Sequence, residues 1–195
     1  MLSVSKAKYM IYVDTERCVG CRSCEIACAV EHSATKNLFT AVKEKPLPSP
    51  RVLVLHHENV NVPLRCLHCA DAPCTRVCPS GAMHYTPEGF VVCDEAKCIG
   101  CGLCSLACPI GHPEVSTATG KVIKCDFCYH RVREGREPAC VEACPTGALI
   151  FGTTSEVLEE IRRRATKKLV SGLSYMIIPG ETRATVPGPG VTRPV

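Results

Sequence analysis

Tryptophan is absent, and the 195 residues carry only four Phe and five Tyr. A core built on large aromatic side chains is therefore excluded, although the length suffices for one or two small domains. No apolar run reaches the roughly 18–20 residues that a bilayer-spanning helix needs. The opening stretch, Met1-Leu-Ser-Val-Ser-Lys-Ala-Lys-Tyr-Met-Ile-Tyr-Val13, holds no long apolar segment, twin arginine or cleavage site. A cytoplasmic location is expected on that basis, with export beside a signal-bearing partner as the alternative. No nucleotide-binding loop or nucleophile constellation is visible either, so a non-catalytic role is expected.

Cysteine is what the chain has in excess. Sixteen of its seventeen cysteines fall into four tight groups. They are Cys18, Cys21, Cys24 and Cys28; Cys66, Cys69, Cys74 and Cys78; Cys98, Cys101, Cys104 and Cys108; and Cys125, Cys128, Cys140 and Cys144. In a reducing compartment such groups point to metal or redox chemistry rather than disulfides. A cubane iron–sulfur cluster takes four thiolates, and Cys-x2-Cys-x2-Cys-x3-Cys-Pro is the bacterial ferredoxin run, whose fourth cysteine serves the neighbouring cluster. The metal alternative is a zinc-structured adaptor, since zinc also takes four ligands from paired knuckles. Zinc gives no reason for three cysteines in one tight loop, or for the repeated Cys-Pro. Four [4Fe-4S] clusters are therefore expected. Sixteen ligand thiolates lower the formal charge of +4 by sixteen, and four oxidised cores at about +2 each return eight. The loaded chain is then acidic, near −4, which argues against a nucleic-acid binder.

The chain also repeats itself. Tyr12-Val-Asp-Thr-Glu-Arg-Cys18 through Cys28 matches Val92-Cys-Asp-Glu-Ala-Lys-Cys98 through Cys108 at an offset of 80. Cys78-Pro-Ser-Gly-Ala-Met83 matches Cys144-Pro-Thr-Gly-Ala-Leu149 at an offset of 66. Arg65-Cys-Leu-His-Cys69 and Lys124-Cys-Asp-Phe-Cys128 open the second and fourth groups alike. Tight groups, the first and third, thus alternate with stretched ones. Tyr9–Val13 and Phe90–Cys93 are expected as strands entering the tight loops, and Met83–Thr86 and Ala148–Gly152 as strands leaving the stretched ones. Gly20 and Gly100 supply a permissive backbone inside the tight loops. Pro79, Pro109 and Pro145 stop the turn that carries the last cysteine of three groups, whereas the first group has Ala29. Val52–Leu55 is expected as a strand after Pro46-Leu-Pro-Ser-Pro50. Residues 153–172 are expected as a helix, capped by Thr153 and Glu156, with Val157, Leu158, Ile161, Ala165 and Leu169 as its apolar stripe.

These motifs resemble the four-cluster ferredoxin-like electron-transfer subunits that accompany molybdenum or tungsten oxidoreductases, formate-linked hydrogenases and carbon monoxide dehydrogenase. The resemblance spans roughly residues 9–152. It implies nested pairing of the four groups. Cys66, Cys69, Cys74 and Cys108 would hold one cluster, and Cys98, Cys101, Cys104 and Cys78 its neighbour. Cys18, Cys21, Cys24 and Cys144 would hold a third, and Cys125, Cys128, Cys140 and Cys28 the fourth. The implied fold is α+β, two nested ferredoxin-like modules with short antiparallel strands and small helices. Residues 62–108 form the inner module and residues 1–61 with 109–152 the outer one. A helix at 153–172 and a Pro/Gly-rich tail at 173–195 follow.

The implied function is to relay single electrons between a catalytic subunit and a redox acceptor such as a hydrogenase or flavoprotein. Cys28-Ala-Val-Glu-His-Ser33 and Asn37-Leu-Phe39 resemble the small iron–sulfur partner of carbon monoxide dehydrogenase, which is the expected catalytic partner. A tungsten or molybdenum aldehyde or formate oxidoreductase is the second candidate, and a free polyferredoxin the third. Cys93 is left over and is expected as a small buried residue. The seven histidines show no metal spacing among themselves, although His68 lies inside a stretched loop. Arg162–Arg164 with Lys167 and Lys168 are expected as a solvated basic face, with docking of an acidic partner as the sharper reading.

Overall fold

The computed structural model describes residues 9–173, so the expected tail, but for its first residue, lies outside the described residues. Strand β1 (Tyr9–Val13) leads through a tight turn at Thr15–Arg17 to helix α1 (Ser23–Glu31) and then α2 (Leu38–Ala41). A hairpin follows, β2 (Val52–His57) and β3 (Val60–Arg65). Next come α3 (Pro73–Arg76), β4 (Met83–Tyr85), β5 (Val91–Cys93) and α4 (Leu103–Ala107). Strands β6 (Glu114–Val115) and β7 (Val122–Ile123) precede α5 (Tyr129–Arg133) and α6 (Ala139–Glu142). Strand β8 (Leu149–Thr153) and the long helix α7 (Thr154–Leu173) complete the described chain. The class is α+β, small helices with short antiparallel strand pairs.

Strand pairing follows the sequence repeat. The described strands form four two-stranded antiparallel sheets, β1 with β8, β2 with β3, β4 with β5 and β6 with β7. In the first, Val13 faces Leu149; in the third, Cys93 faces Met83, the matching residues of the repeat. The next hydrogen bond repeats too. Asp14 N–H donates to Ala148 C=O at 2.7 Å, and Asp94 N–H to Ala82 C=O at 2.8 Å. The strand before the first cysteine group therefore pairs with the strand after the fourth. The strand before the third pairs with the strand after the second.

Proline sets the helix lengths. Helices α3, α4 and α6 end one or two residues before Cys78-Pro79, Cys108-Pro109 and Cys144-Pro145. The residue before a proline is pushed out of helical conformation. Ala29 imposes no such stop, and α1 runs on through Cys28 to Glu31.

Two apolar clusters fill the interior. One gathers Ile11, Cys24, Cys28, Val52, Val54, Phe90, Val92, Phe127, Cys140, Val141 and Leu149. The other gathers Ala72, Cys74, Ala82, Met83, Val91, Cys98, Cys104 and Val122. The first draws its cysteines from the first and fourth groups, the second from the second and third. The scarce aromatics are concentrated in the first cluster. Phe90 stacks on Phe127 at 4.4 Å between ring centroids, and His68 meets both rings edge-on. Phe127 in turn meets Phe151, which stacks on Tyr9.

Helix α7 starts with the expected cap. Thr153 N–H donates to the Glu156 carboxylate at 2.7 Å, and Glu156 N–H donates back to Thr153 Oγ1 at 3.4 Å. Residues up to Val157 belong to one compact unit and those from Leu158 onward to a second. Of the expected stripe, Val157 is fully buried, whereas Leu158 and Leu169 are exposed. Within the second unit Arg163 and Arg164 both bind the Glu160 carboxylate at 2.7 Å. No helix among the described residues is long and apolar enough to cross a membrane.

Candidate metal centre

Each tight loop turns on a glycine. Gly20 and Gly100 adopt φ of +71° and +69°, a region that side chains with a Cβ avoid. At Gly100 a Cβ would also fall 2.2 Å from the Gly120 carbonyl oxygen, so the loop is closed by backbone packing. The stretched loops turn without glycine. His68 and Phe127, matching positions in the repeat, take φ of +48° and +66°. That curl aims His68 N–H at Cys66 Sγ, 3.4 Å away, and Phe127 N–H at Cys125 Sγ, 3.5 Å away. Further N–H···S bonds run from Arg51 to Cys28, Met83 to Cys78 and His112 to Cys108, at 3.2–3.4 Å. Donors aimed at sulfur favour the thiolate that iron binds.

The described cysteines are all free thiols, and they gather across groups. Cys66, Cys69, Cys74 and Cys108 line one small apolar cavity. Cys78, Cys98, Cys101 and Cys104 line a second, together with Cys93. Cys18, Cys21, Cys24 and Cys144 line a third. The remaining four thiols, Cys28, Cys125, Cys128 and Cys140, interact electrostatically with one another. Burial pushes all four of these thiols up, Cys128 to about 12, and likewise raises Cys24 and Cys74 to about 11. A bound cation would offset that cost, and the iron of a cluster held by these cysteines would supply it.

Each of the three cavities offers four grouped cysteine thiols and no carboxylate or imidazole, which is the donor set an iron–sulfur group takes. Among the described residues, Arg65 Nε and His68 Nε2 are buried without a hydrogen-bond partner. His68 Nδ1 accepts from Val91 N–H at 3.1 Å, so in the neutral ring the proton sits on Nε2. Burial, then the charges of Lys124 and Arg65, hold His68 well below its ordinary value and keep it neutral. The thiols lining the three cavities therefore fit the iron–sulfur group.

Cys93 departs from its expected role as a plain buried residue. It is only half-buried and sits against the second cavity, hydrogen-bonded to Cys98, with its thiol pushed up to about 12 by burial and then by Cys98. The histidines, which show no metal spacing in sequence, include one that joins a site in space. His32 Nε2 lies 3.1 Å from the Asp126 carboxylate, and both come within 4.8 Å of Cys128. Burial would raise the Asp126 carboxyl, but His32 and Arg51 together hold it far below the usual carboxylate range.

Short sheets, cysteine-bearing loops and N–H···S bonds define an iron–sulfur protein of the ferredoxin type. The 4Fe-4S dicluster domain family matches residues 58–154, and the 4Fe-4S binding domain family residues 15–31. The B subunit of anaerobic dimethyl sulfoxide reductase from Escherichia coli is 43% identical over 155 residues, covering 77% of this chain and 76% of its own length. The thiosulfate reductase electron transfer subunit PhsB of Salmonella typhi is 37% identical over 164 residues, 84% of each chain. The nitrate-inducible formate dehydrogenase iron-sulfur subunit of Escherichia coli is 33% identical over 184 residues, covering 87% of this chain and 63% of its own. The chain belongs to this family of iron–sulfur beta subunits of molybdenum oxidoreductases. It is a non-catalytic electron-transfer subunit with four [4Fe-4S] clusters. None of these three relatives is a component of carbon monoxide dehydrogenase, so the expectation of that partner gains no support from them.

Proposed function

We propose that the sixteen grouped cysteines hold their clusters in nested sets and that the catalytic partner is a molybdenum-type reductase or dehydrogenase. Cys18, Cys21, Cys24 and Cys144 make one set, and Cys28, Cys125, Cys128 and Cys140 a second. Cys66, Cys69, Cys74 and Cys108 make a third, and Cys78, Cys98, Cys101 and Cys104 the fourth. The observation that carries this reading is the composition of the three cavities, each lined by three cysteines of one group and the last cysteine of another. The cysteines of the two apolar clusters support the corresponding pair of modules, Cys74, Cys98 and Cys104 for 62–108 and Cys24, Cys28 and Cys140 for 1–61 with 109–152.

The bound clusters would supply one-electron redox chemistry. The chain itself supplies thiolates, N–H donors to sulfur and a shell that keeps water from the buried sets. Its similarity to subunits of dimethyl sulfoxide and thiosulfate reductases favours a small oxidised sulfur compound as the partner's substrate over carbon monoxide. The acceptor or donor at the other end is a second redox protein. Anaerobic purification of this chain together with whatever catalytic subunit it binds tests this. A stable complex holding molybdenum, with about sixteen irons on this chain, is the expected result. A nickel-containing partner would return the reading to carbon monoxide dehydrogenase.

A further inference from the structure

Two buried cations sit at matching positions of the repeat, each just ahead of a stretched cysteine loop. Arg65 precedes Cys66 and Lys124 precedes Cys125, and they are 6% and 3% exposed. Neither has a carboxylate within ion-pairing distance among the described residues. Each is held instead by carbonyl oxygens, in the same way. Arg65 donates to its neighbour Cys66 C=O at 2.8 Å and to Ile11 C=O. Lys124 donates to its neighbour Cys125 C=O at 2.6 Å and to Val91 C=O at 2.5 Å. Ile11 and Val91 match each other at the repeat offset of 80.

The exchange is reciprocal. Arg65, beside the second cysteine group, reaches the strand that enters the first. Lys124, beside the fourth group, reaches the strand that enters the third. Each cation therefore ties one nested pair of groups to the other. Each also bonds the carbonyl of the first cysteine in its own stretched loop, Cys66 for Arg65 and Cys125 for Lys124, so each sits beside one ligand set.

A buried cation without an anion is expensive, by several kcal/mol per ion in general. Packing alone gives no reason to place two of them here, since an apolar residue of similar length would fill the space. Four thiolates around a cubane core of about +2 leave a net charge of about −2, and two such groups repel each other across a dry interior. We propose that Arg65 and Lys124 are the fixed counter-charges of the two interior ligand sets, the third and second of those just assigned, and that they raise the reduction potentials there. They are positioning residues for charge, and the inference rests on the nested four-cluster reading.

The test uses anaerobically purified full-length chain, with iron content and EPR-monitored redox titration as readouts. The variants are Arg65→Met, Lys124→Met, Arg65→Lys and Lys124→Arg. In the Met variants two of the four potentials should move to more negative values and the other two should move less. In Arg65→Lys and Lys124→Arg all four should stay near wild type. Four unmoved potentials in a fully loaded Met variant would overturn the proposal. So would an equal shift in the Met and charge-preserving variants. If the Met variants fail to load, the charge-preserving pair decides: full iron with unshifted potentials supports the counter-charge role, and lost iron or shifted potentials overturns it. Wild-type iron content reports separately on the four-cluster reading.

Discussion

Glu31 at the end of α1 accepts a hydrogen bond from Arg131 in α5 at 2.7 Å, one hundred residues further along the chain. The contact fastens the first cysteine group to the fourth. His130 and Lys36 bind the same carboxylate, at 2.9 and 3.2 Å. Burial would raise Glu31, but these three donors bring it down from 4.5 to about 2. A carboxyl depressed in the folded state stabilises fully above its unfolded value and loses that contribution as pH falls toward the folded one. The Glu31→Gln variant should therefore be less stable than wild type at pH 7, by about 1.5–3 kcal/mol, as for hydrogen bonds to a charged group. The gap should stay constant from about pH 8 down to about pH 6, because that whole window lies above the unfolded value of 4.5. Denaturant midpoints of both proteins across that range measure it.

Ligand pairing has its own signature. Cys144→Ser and Cys18→Ser should remove the same EPR signal and leave about twelve irons. Cys140→Ser should remove a different one, although it lies only four residues from Cys144. Loss of one shared signal from Cys140→Ser and Cys144→Ser would show that ligands stay within their own group.

Backbone packing in the third loop is tested by two glycines with similar conformation. Gly100 and Gly111 have φ of +69° and +60°, but a Cβ at Gly111 meets nothing within 4 Å. Gly111→Ala should cost about 1 kcal/mol from backbone strain alone. Gly100→Ala should cost about 1–3 kcal/mol more, because the Gly120 carbonyl must move. Thermal unfolding of the loaded proteins separates the two.

Chelation should be the most severe perturbation. With few aromatics and cysteines placed throughout both apolar clusters, metal binding and folding are coupled. Removing iron should abolish cooperative unfolding, read by circular dichroism, and open all seventeen thiols to alkylation. A cooperatively folded apoprotein would contradict the coupling.

Much of this was legible because cysteine spacing and repeats are local signals. Tyr9–Val13 is the expected strand residue for residue, and the Thr153–Glu156 cap is the expected pair. Strand β3 was not legible. Pro63 lies within it, and proline speaks against a strand. The β2–β3 turn uses Glu58 at φ +50°, where a glycine or asparagine would have marked a hairpin. Asp126 and Arg131 were hidden for a different reason. Their partners include His32 and Glu31, more than ninety residues away, and charge in sequence does not report pairing in space. The stripe on α7 is periodic in sequence, but periodicity alone does not say how far burial extends beyond Val157.

Among the described strands β1 pairs with β8 alone, near the opposite end of the described chain. During synthesis the segment carrying the second and third groups emerges with both of its strands, β4 and β5, and is able to close early. The first group must wait, with its thiols uncovered, until residues 149–153 leave the ribosome. The order of closure is thus from the inside outward, and the longest exposure to oxygen or to stray metal falls on the cysteines made first.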